Sequence, residues 1–302
     1  MAKKIHRRDF LAGGLGAGAM ALGLGIRPAP LQAKESGPES IPFPLPPPVV
    51  PLDVAAVRQT AYDRYFQGGC MYGAAAALVE GLREACRPAA DEGGYTDWDL
   101  IPTGMFKYGS GGVAGWGTIC GVLNGTAAVI SMLAYDAQAV ISPMIDQVIG
   151  WYTVQSFPLS YSDDLETSDR SYQALADIEV PAHTVSDSPL CHISIGKFCA
   201  AAGITLKDAS AEGMNYKQDR CSKICAETAA LAASLINAQL AESAETVYTT
   251  PESYASCLTC HGTIKDQVGK MNCHGCHSTS EVTLVGSGHE RNVTAPKNRK
   301  KR

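Results

Sequence analysis

The sequence is short of several things. Aromatic residues are only 7% of its 302 residues and charged residues 18%. Basic side chains do not outnumber acidic ones: 25 Lys and Arg stand against 30 Asp and Glu, a formal charge of −5. A nucleic-acid-binding surface needs a basic excess and aromatic platforms for bases, so that class is disfavoured. No convincing stretch alternates apolar and polar residues as a half-buried strand does, which argues against a β architecture. The apolar run over residues 11–26 falls short of the roughly 20 residues a membrane-spanning helix needs. With 45% hydrophobic residues, the chain still has ample material for one large domain or two of ordinary size.

Cysteine is what the chain has in excess: 11, with 7 His. An odd number excludes a complete set of internal disulfides and turns attention to metal, haem or redox chemistry.

The ends read as appendages. Arg7 and Arg8, followed by Asp9, Phe10 and Leu11, have the pattern of a twin-arginine export signal, and the Gly/Ala/Leu-rich run behind them fits its apolar region. Pro28 and Pro30 break any helix, and Ala33 is the expected end of the signal. Leu31, three residues before the cut, is larger than the usual Ala, so an uncleaved anchor is the alternative. The expected destination is the periplasm, an oxidising compartment. Residues 34–51 carry seven prolines and read as an extended linker or a surface arm. Residues 291–302 form a basic tail. Residues 1–33 hold five basic side chains and Asp9, so without them the chain has a formal charge near −9.

The middle reads as helical. Val54, Val57, Ala61 and Phe66 recur at helical spacing up to Gly68 and Gly69, which are expected to stop the element. A second, Ala- and Leu-rich helix is expected from Cys70 to about Cys86. Residues 91–118 look irregular. A third helix is expected from Gly121 through Ile145 or beyond, kinked or split at Pro143. Two more follow near residues 191–202 and 218–241. Cys70, Cys86, Cys120, Cys191, Cys199, Cys221 and Cys225 fall at or near the expected helix ends, where free backbone N–H groups favour thiolates and iron–sulfur clusters. Three chemistries use such cysteines: an iron–sulfur cluster, a dithiol–disulfide couple, or structural disulfides. Twin-arginine export, which carries folded and cofactor-loaded proteins, favours the first. The glycine-rich stretch from Tyr108 to Cys120 would let backbone amides approach a bound group. As a dinucleotide fingerprint it is weak, since no strand precedes it.

The C-terminal region carries the most specific signal. Residues 257–277 contain two Cys-x-x-Cys-His motifs, the attachment signature of c-type haem. Cys257 and Cys260 would bind one haem covalently with His261 as its proximal ligand. Cys273, Cys276 and His277 would do the same for a second. A zinc ribbon also uses paired Cys-x-x-Cys, but it does not require a His directly after both pairs. Only 11 residues separate His261 from Cys273, about 17 Å if helical, so the two haems must lie close together. Candidates for the distal ligands are His289, His192, His183 and His274, with Met271 and Met214 as weaker ones.

Two resemblances follow. Cys120-Gly121-Val122-Leu123-Asn124-Gly125 resembles the CGAxxG motif of a family of redox-active proteins with four characteristic cysteines, although Val122 stands where the motif has Ala. In that resemblance Cys70 is the first cysteine, and Cys191 and Cys221 are the last two. Cys199 and Cys225 are near enough to replace their neighbours. A domain of this kind followed by a dihaem segment resembles the split-Soret cytochromes c of anaerobic bacteria, over roughly residues 52–290. The resemblance implies a homodimer with closely stacked haem pairs, bis-His ligation, an iron–sulfur centre in the N-terminal domain, and a possible haem ligand from the partner subunit.

The expected architecture is therefore mainly α: a helical Cys-rich domain over 52–245, then a small, irregular dihaem domain over 246–290. The expected function is periplasmic electron transfer between an iron–sulfur centre and two haem c groups, with redox proteins as partners and no membrane span in the mature chain. The rival readings are a haem-dependent reductase of a small oxyanion and a thiol–disulfide redox protein.

Overall fold

A computed structural model describes residues 42–90, 93–162, 165, 181–207, 216–243, 245–252, 255 and 270–272. Its principal helices are α1 (Val54–Cys86), α2 (Gly121–Ile130), α3 (Ser142–Val154), α4 (Cys191–Ala202) and α5 (Tyr216–Leu240). Among the described residues, strand structure is confined to β1 (Ser156–Phe157) paired antiparallel with β2 (Thr184–Val185), and two isolated bridges. The mainly helical expectation holds.

α1 starts at Asp53, whose side chain accepts from the Ala56 N–H at 3.0 Å, a standard N-cap. Gly68 and Gly69 do not end it. Gly69 takes φ 80°, ψ −172°, a conformation open to a residue without Cβ, and the helix resumes at once. The two expected helices are thus one kinked element. Beyond the kink, Ala74, Ala75, Ala76 and Ala77 are wholly buried, and α5 answers with Ala226, Ala229, Ala232 and Ala233. Small side chains on both helices allow a close α1–α5 seam. Asn237 closes one end of it, accepting from the Leu52 N–H at 2.7 Å and donating to the Leu52 carbonyl at 2.9 Å. Glu227 on α5 clamps the seam further along, its Oε1 accepting from Arg58 Nη2 at 2.6 Å and from Ser162 Oγ at 2.9 Å.

The third expected helix is also revised, in the opposite sense. α2 ends at Ile130, and Leu45 then hydrogen-bonds to Met132 and Ala134 on either side of Leu133. The chain restarts at Asp136, whose carboxylate caps a π-turn over Ala137–Ile141 by accepting from Gln138 and Ala139. Pro143 does not kink a helix. It occupies the first turn of α3, where its missing N–H costs nothing. In the proline-rich segment, Leu45 is fully buried and the Pro46 carbonyl accepts from the Trp98 indole at 2.9 Å, so this stretch is fastened to the helices. No described helix is long and apolar enough to cross a membrane.

Candidate redox site

Four of the predicted cysteines meet at one cavity of about 250 Å³: Cys70, Cys120, Cys191 and Cys221. Each comes from a different helix. Cys70 follows the kink in α1, Cys120 is the N-cap residue of α2, Cys191 opens α4 and Cys221 lies in the second turn of α5. Two local devices bring them together. The Cys120 N–H donates to the Pro189 carbonyl and the Cys191 N–H to the Thr118 carbonyl, both at 2.8 Å, which stitches the glycine loop to the start of α4. Gly121 allows α2 to rest on α1, since a Cβ there would lie 2.6 Å from the Gly109 carbonyl oxygen and 2.9 Å from Cys70 Cβ. The glycine after Cys120 is thus a steric requirement of the site.

The loop from Tyr108 to Cys120 covers this cavity. Gly111, Gly112, Gly115 and Gly117 all have positive φ, and Val113 and Ala114 share the left-handed conformation. The loop is closed by its own backbone bonds, Gly115 to Ser110 and Gly117 to Gly111, each 3.0 Å. It is a lid on the cysteines and belongs to no βαβ unit, so the dinucleotide reading fails.

The thiols act in two pairs, Cys70 with Cys221 and Cys191 with Cys120. One thiol of each pair is pushed up: Cys70 by its interaction with Cys221 and then by burial, Cys191 by its interaction with Cys120 and then by burial. The other is drawn down. Cys221 falls to about 6, through the Cys70 bond first and then through Arg220, Lys217 and Tyr65 against the opposing effect of burial. Cys120 is lowered by the Cys191 bond, with help from Tyr152 and the Val122 N–H at the start of α2. Each pair therefore holds one thiolate-prone sulfur.

The remaining cysteines stand apart. Cys225 is fully buried and donates to the Cys70 carbonyl at 3.4 Å, beneath the cavity and outside its lining. Cys199 is half-buried on α4 and does not line the cavity either. Cys86 is at the far end of α1, against the Pro46 and Pro47 carbonyls. Neither Cys199 nor Cys225 replaces its neighbour in the cavity wall. No disulfide joins the seven described cysteines.

Sequence reasoning missed the polar groups around the thiols. Lys217 and Arg220 line the cavity, and Arg220 is 1% exposed with its Nε lacking any hydrogen-bond partner. Their spacing from Cys221 on one helix was a legible signal. Tyr65 and Tyr152 bond to Cys221 and Cys120 respectively, and burial raises both phenols well above their ordinary range. Tyr152 comes from a helix with no sequence cue linking it to cysteine.

Among the described residues, no three His, Cys, Asp or Glu side chains gather as the ligands of a single metal ion would. The cavity fits a larger anionic group instead. It presents four sulfurs, two adjacent cations and one buried guanidinium N–H with nothing to bond.

Of the histidines, His192 is exposed at the cavity mouth beside Cys191, its Cβ facing Gly117. His183 lies away from the cavity. Its Nδ1 is 2.5 Å from the Pro158 carbonyl oxygen, which fixes the proton on Nδ1 and leaves the Nε2 lone pair free. His274 and His289 lie outside the described residues. So do both Cys-x-x-Cys-His motifs, with Cys257, Cys260, His261, Cys273, Cys276 and His277.

Their flanks are described, and they dock on α3. Val247 and Tyr248 donate backbone N–H groups to Gln147 Oε1 at 2.7 and 2.8 Å, and Gln147 donates back to the Tyr248 carbonyl at 3.3 Å. The Tyr248 ring lies over Gly150. Lys270, between the two motifs, pairs with Asp146. Positions 150 and 152 point to opposite sides of a helix. α3 therefore has Tyr152 on the cysteine cavity and Gly150 on the segment leading to the first Cys-x-x-Cys-His motif.

The model of a family described as "Putative redox-active protein (C_GCAxxG_C_C)" matches residues 89–235, which include Cys120, Cys191 and Cys221 but not Cys70. The chain is 31% identical over 294 residues to the split-Soret cytochrome c of Desulfovibrio desulfuricans, covering 92% of this chain and 96% of that protein. A solved structure of a novel iron centre in the split-Soret cytochrome c from Desulfovibrio desulfuricans ATCC 27774 aligns with a TM-score of 0.60 at 27% identity, over 76% of this chain and 88% of that one.

Proposed function

The chain belongs to the split-Soret cytochrome c family, and from that premise we propose that it is a periplasmic dihaem electron carrier that exchanges electrons between an iron–sulfur centre and a closely spaced haem pair. The observation that carries the iron–sulfur part is the meeting of Cys70, Cys120, Cys191 and Cys221 at one cavity, with cationic Arg220 and Lys217 beside them. These four cysteines would hold the centre, which supplies a one-electron couple when bound. The relative's iron centre supports the same reading.

The protein's own residues prepare the cavity for a negatively charged group. Lys217 and Arg220 offset its charge, Tyr65 and Tyr152 donate to its sulfurs, and the glycine loop lines its wall. Cys257, Cys260, Cys273 and Cys276 would attach the haems, with His261 and His277 as proximal ligands. Distal ligands are drawn from His289, His192, His183 and His274. His183 is favoured among the described ones, because a ring whose Nδ1–H is already committed to a carbonyl offers Nε2 to iron. A homodimer with haems near its interface, redox proteins as partners and export by the twin-arginine route complete the proposal. The mature chain's acidity favours partners that are basic around their docking site.

The test is a visible spectrum of the native protein, oxidised and reduced, with haem, iron and acid-labile sulfide measured on the same sample. Two low-spin haems, a split Soret band and iron in excess of haem support the proposal. A high-spin haem spectrum favours the oxyanion reductase, and zinc without haem overturns the account.

A further inference from the structure

We propose that Arg220, Ser194 and Tyr152 form a one-way hydrogen-bond relay that ends on Cys120 and tunes how firmly the cysteine site holds negative charge. The proposal rests on the reading of that site as an iron–sulfur centre.

The three residues come from α5, α4 and α3, and all are buried, at 1%, 2% and 0% exposure. Arg220 Nη2 lies 3.0 Å from Ser194 Oγ, and Ser194 Oγ lies 3.0 Å from the Tyr152 hydroxyl. Tyr152 and Cys120 line the same cavity, and their side chains interact there. The direction follows from donor and acceptor capacity. A guanidinium can only donate, so Ser194 must accept from Arg220. The hydroxyl next to it is that of Tyr152, to which it can pass its own proton. The phenol then donates to the Cys120 sulfur. Run this way, each hydroxyl accepts one bond and donates one, as buried hydroxyls require. Run the other way, with Tyr152 donating to Ser194, Cys120 loses its phenol donor.

Such a chain begins on a fixed positive charge and ends on a sulfur. Each link polarises the next, so the last bond is stronger than a lone phenol would give. Donors to a ligating sulfur favour the more negative redox state and raise the reduction potential. A purely structural role would not need the hydroxyl: Tyr152 also packs against Phe157, with ring centroids 5.2 Å apart, and phenylalanine would preserve that contact.

The experiment is a mediated redox titration of the full-length protein, with the non-haem centre followed by electron paramagnetic resonance and the haems by visible absorption. It compares the wild type with Tyr152→Phe, Ser194→Ala and Ser194→Thr. Tyr152→Phe is expected to shift the oxidised-to-reduced ratio of the non-haem centre roughly tenfold towards oxidised at a fixed potential, about 59 mV for one electron. Ser194→Ala should shift it the same way by less. Ser194→Thr, which keeps the hydroxyl, should restore it, with haem midpoints and iron content unchanged throughout. Unmoved midpoints with iron in place overturn the relay alone. Loss of iron from Tyr152→Phe and Ser194→Ala assigns these residues to structure and also overturns it. A wild-type protein without non-haem iron overturns the underlying reading and the relay with it.

Discussion

Cys70 and Cys221 interact across the α1–α5 seam, and their thiols shift in opposite directions, the first up and the second down. Cys120 and Cys191 repeat the arrangement where α2 meets α4. If these pairs hold an iron–sulfur centre, Cys70→Ser and Cys221→Ser should each lose most of the non-haem iron and leave haem content unchanged. Cys86→Ser, at the far end of α1, should keep both. Iron analysis and the pyridine haemochrome spectrum check this, and equal iron in all three variants would contradict it.

The asymmetry within the first pair has a pH signature in iron-free protein. Cys221 sits at about 6, below the ordinary thiol value of 9.0. Only the thiolate alkylates, so its reaction with iodoacetamide should hold a steady rate above about pH 7 and slow about tenfold per unit below pH 6. The same depressed value stabilises the folded chain fully above pH 9, and that contribution is lost as pH falls through about 6. Mass spectrometry of alkylated peptides between pH 5 and 9 checks the rate, and a dependence centred near 9 would contradict it.

Gly150 accommodates the Tyr248 ring with no space for a methyl group. Gly150→Ala should displace the segment entering the Cys-x-x-Cys-His motifs, at a cost of about 1–3 kcal/mol. Tyr248→Ala in the same chain should recover part of that loss, because the clash is gone. Thermal unfolding of the single and double variants checks the coupling, and simple additivity of the two changes would contradict it.

His183 commits Nδ1 to the Pro158 carbonyl and keeps Nε2 available. His183→Ala should convert one haem to a high-spin form, seen as a weakened low-spin band in the reduced spectrum and a high-spin resonance in the oxidised protein. Two unaltered low-spin haems would remove His183 from the distal candidates.

Much of this was legible in the sequence. Helical class and the later helices followed from periodicity. Cys70, Cys120, Cys191 and Cys221, identified through the four-cysteine resemblance, are the four that line the cavity. Two boundaries were misread for opposite reasons. Gly68 and Gly69 read as a stop, but one residue in a left-handed conformation can kink a helix that tertiary packing sustains on both sides. Residues 121–145 read as one helix because they are uniformly apolar. The break there is made by Leu45, from a distant segment, and by the Asp136 cap. The relay was illegible because Tyr152, Ser194 and Arg220 lie on three helices that only tertiary packing brings together.

An anaerobic redox titration of the whole protein, read by visible absorption and electron paramagnetic resonance together, tests the central claim most directly. The account predicts two reversible low-spin haem couples and one further reversible signal from non-haem iron, which disappears in Cys221→Ser. Haem couples alone, with no non-haem signal at any potential, would contradict the cysteine cavity as a redox centre.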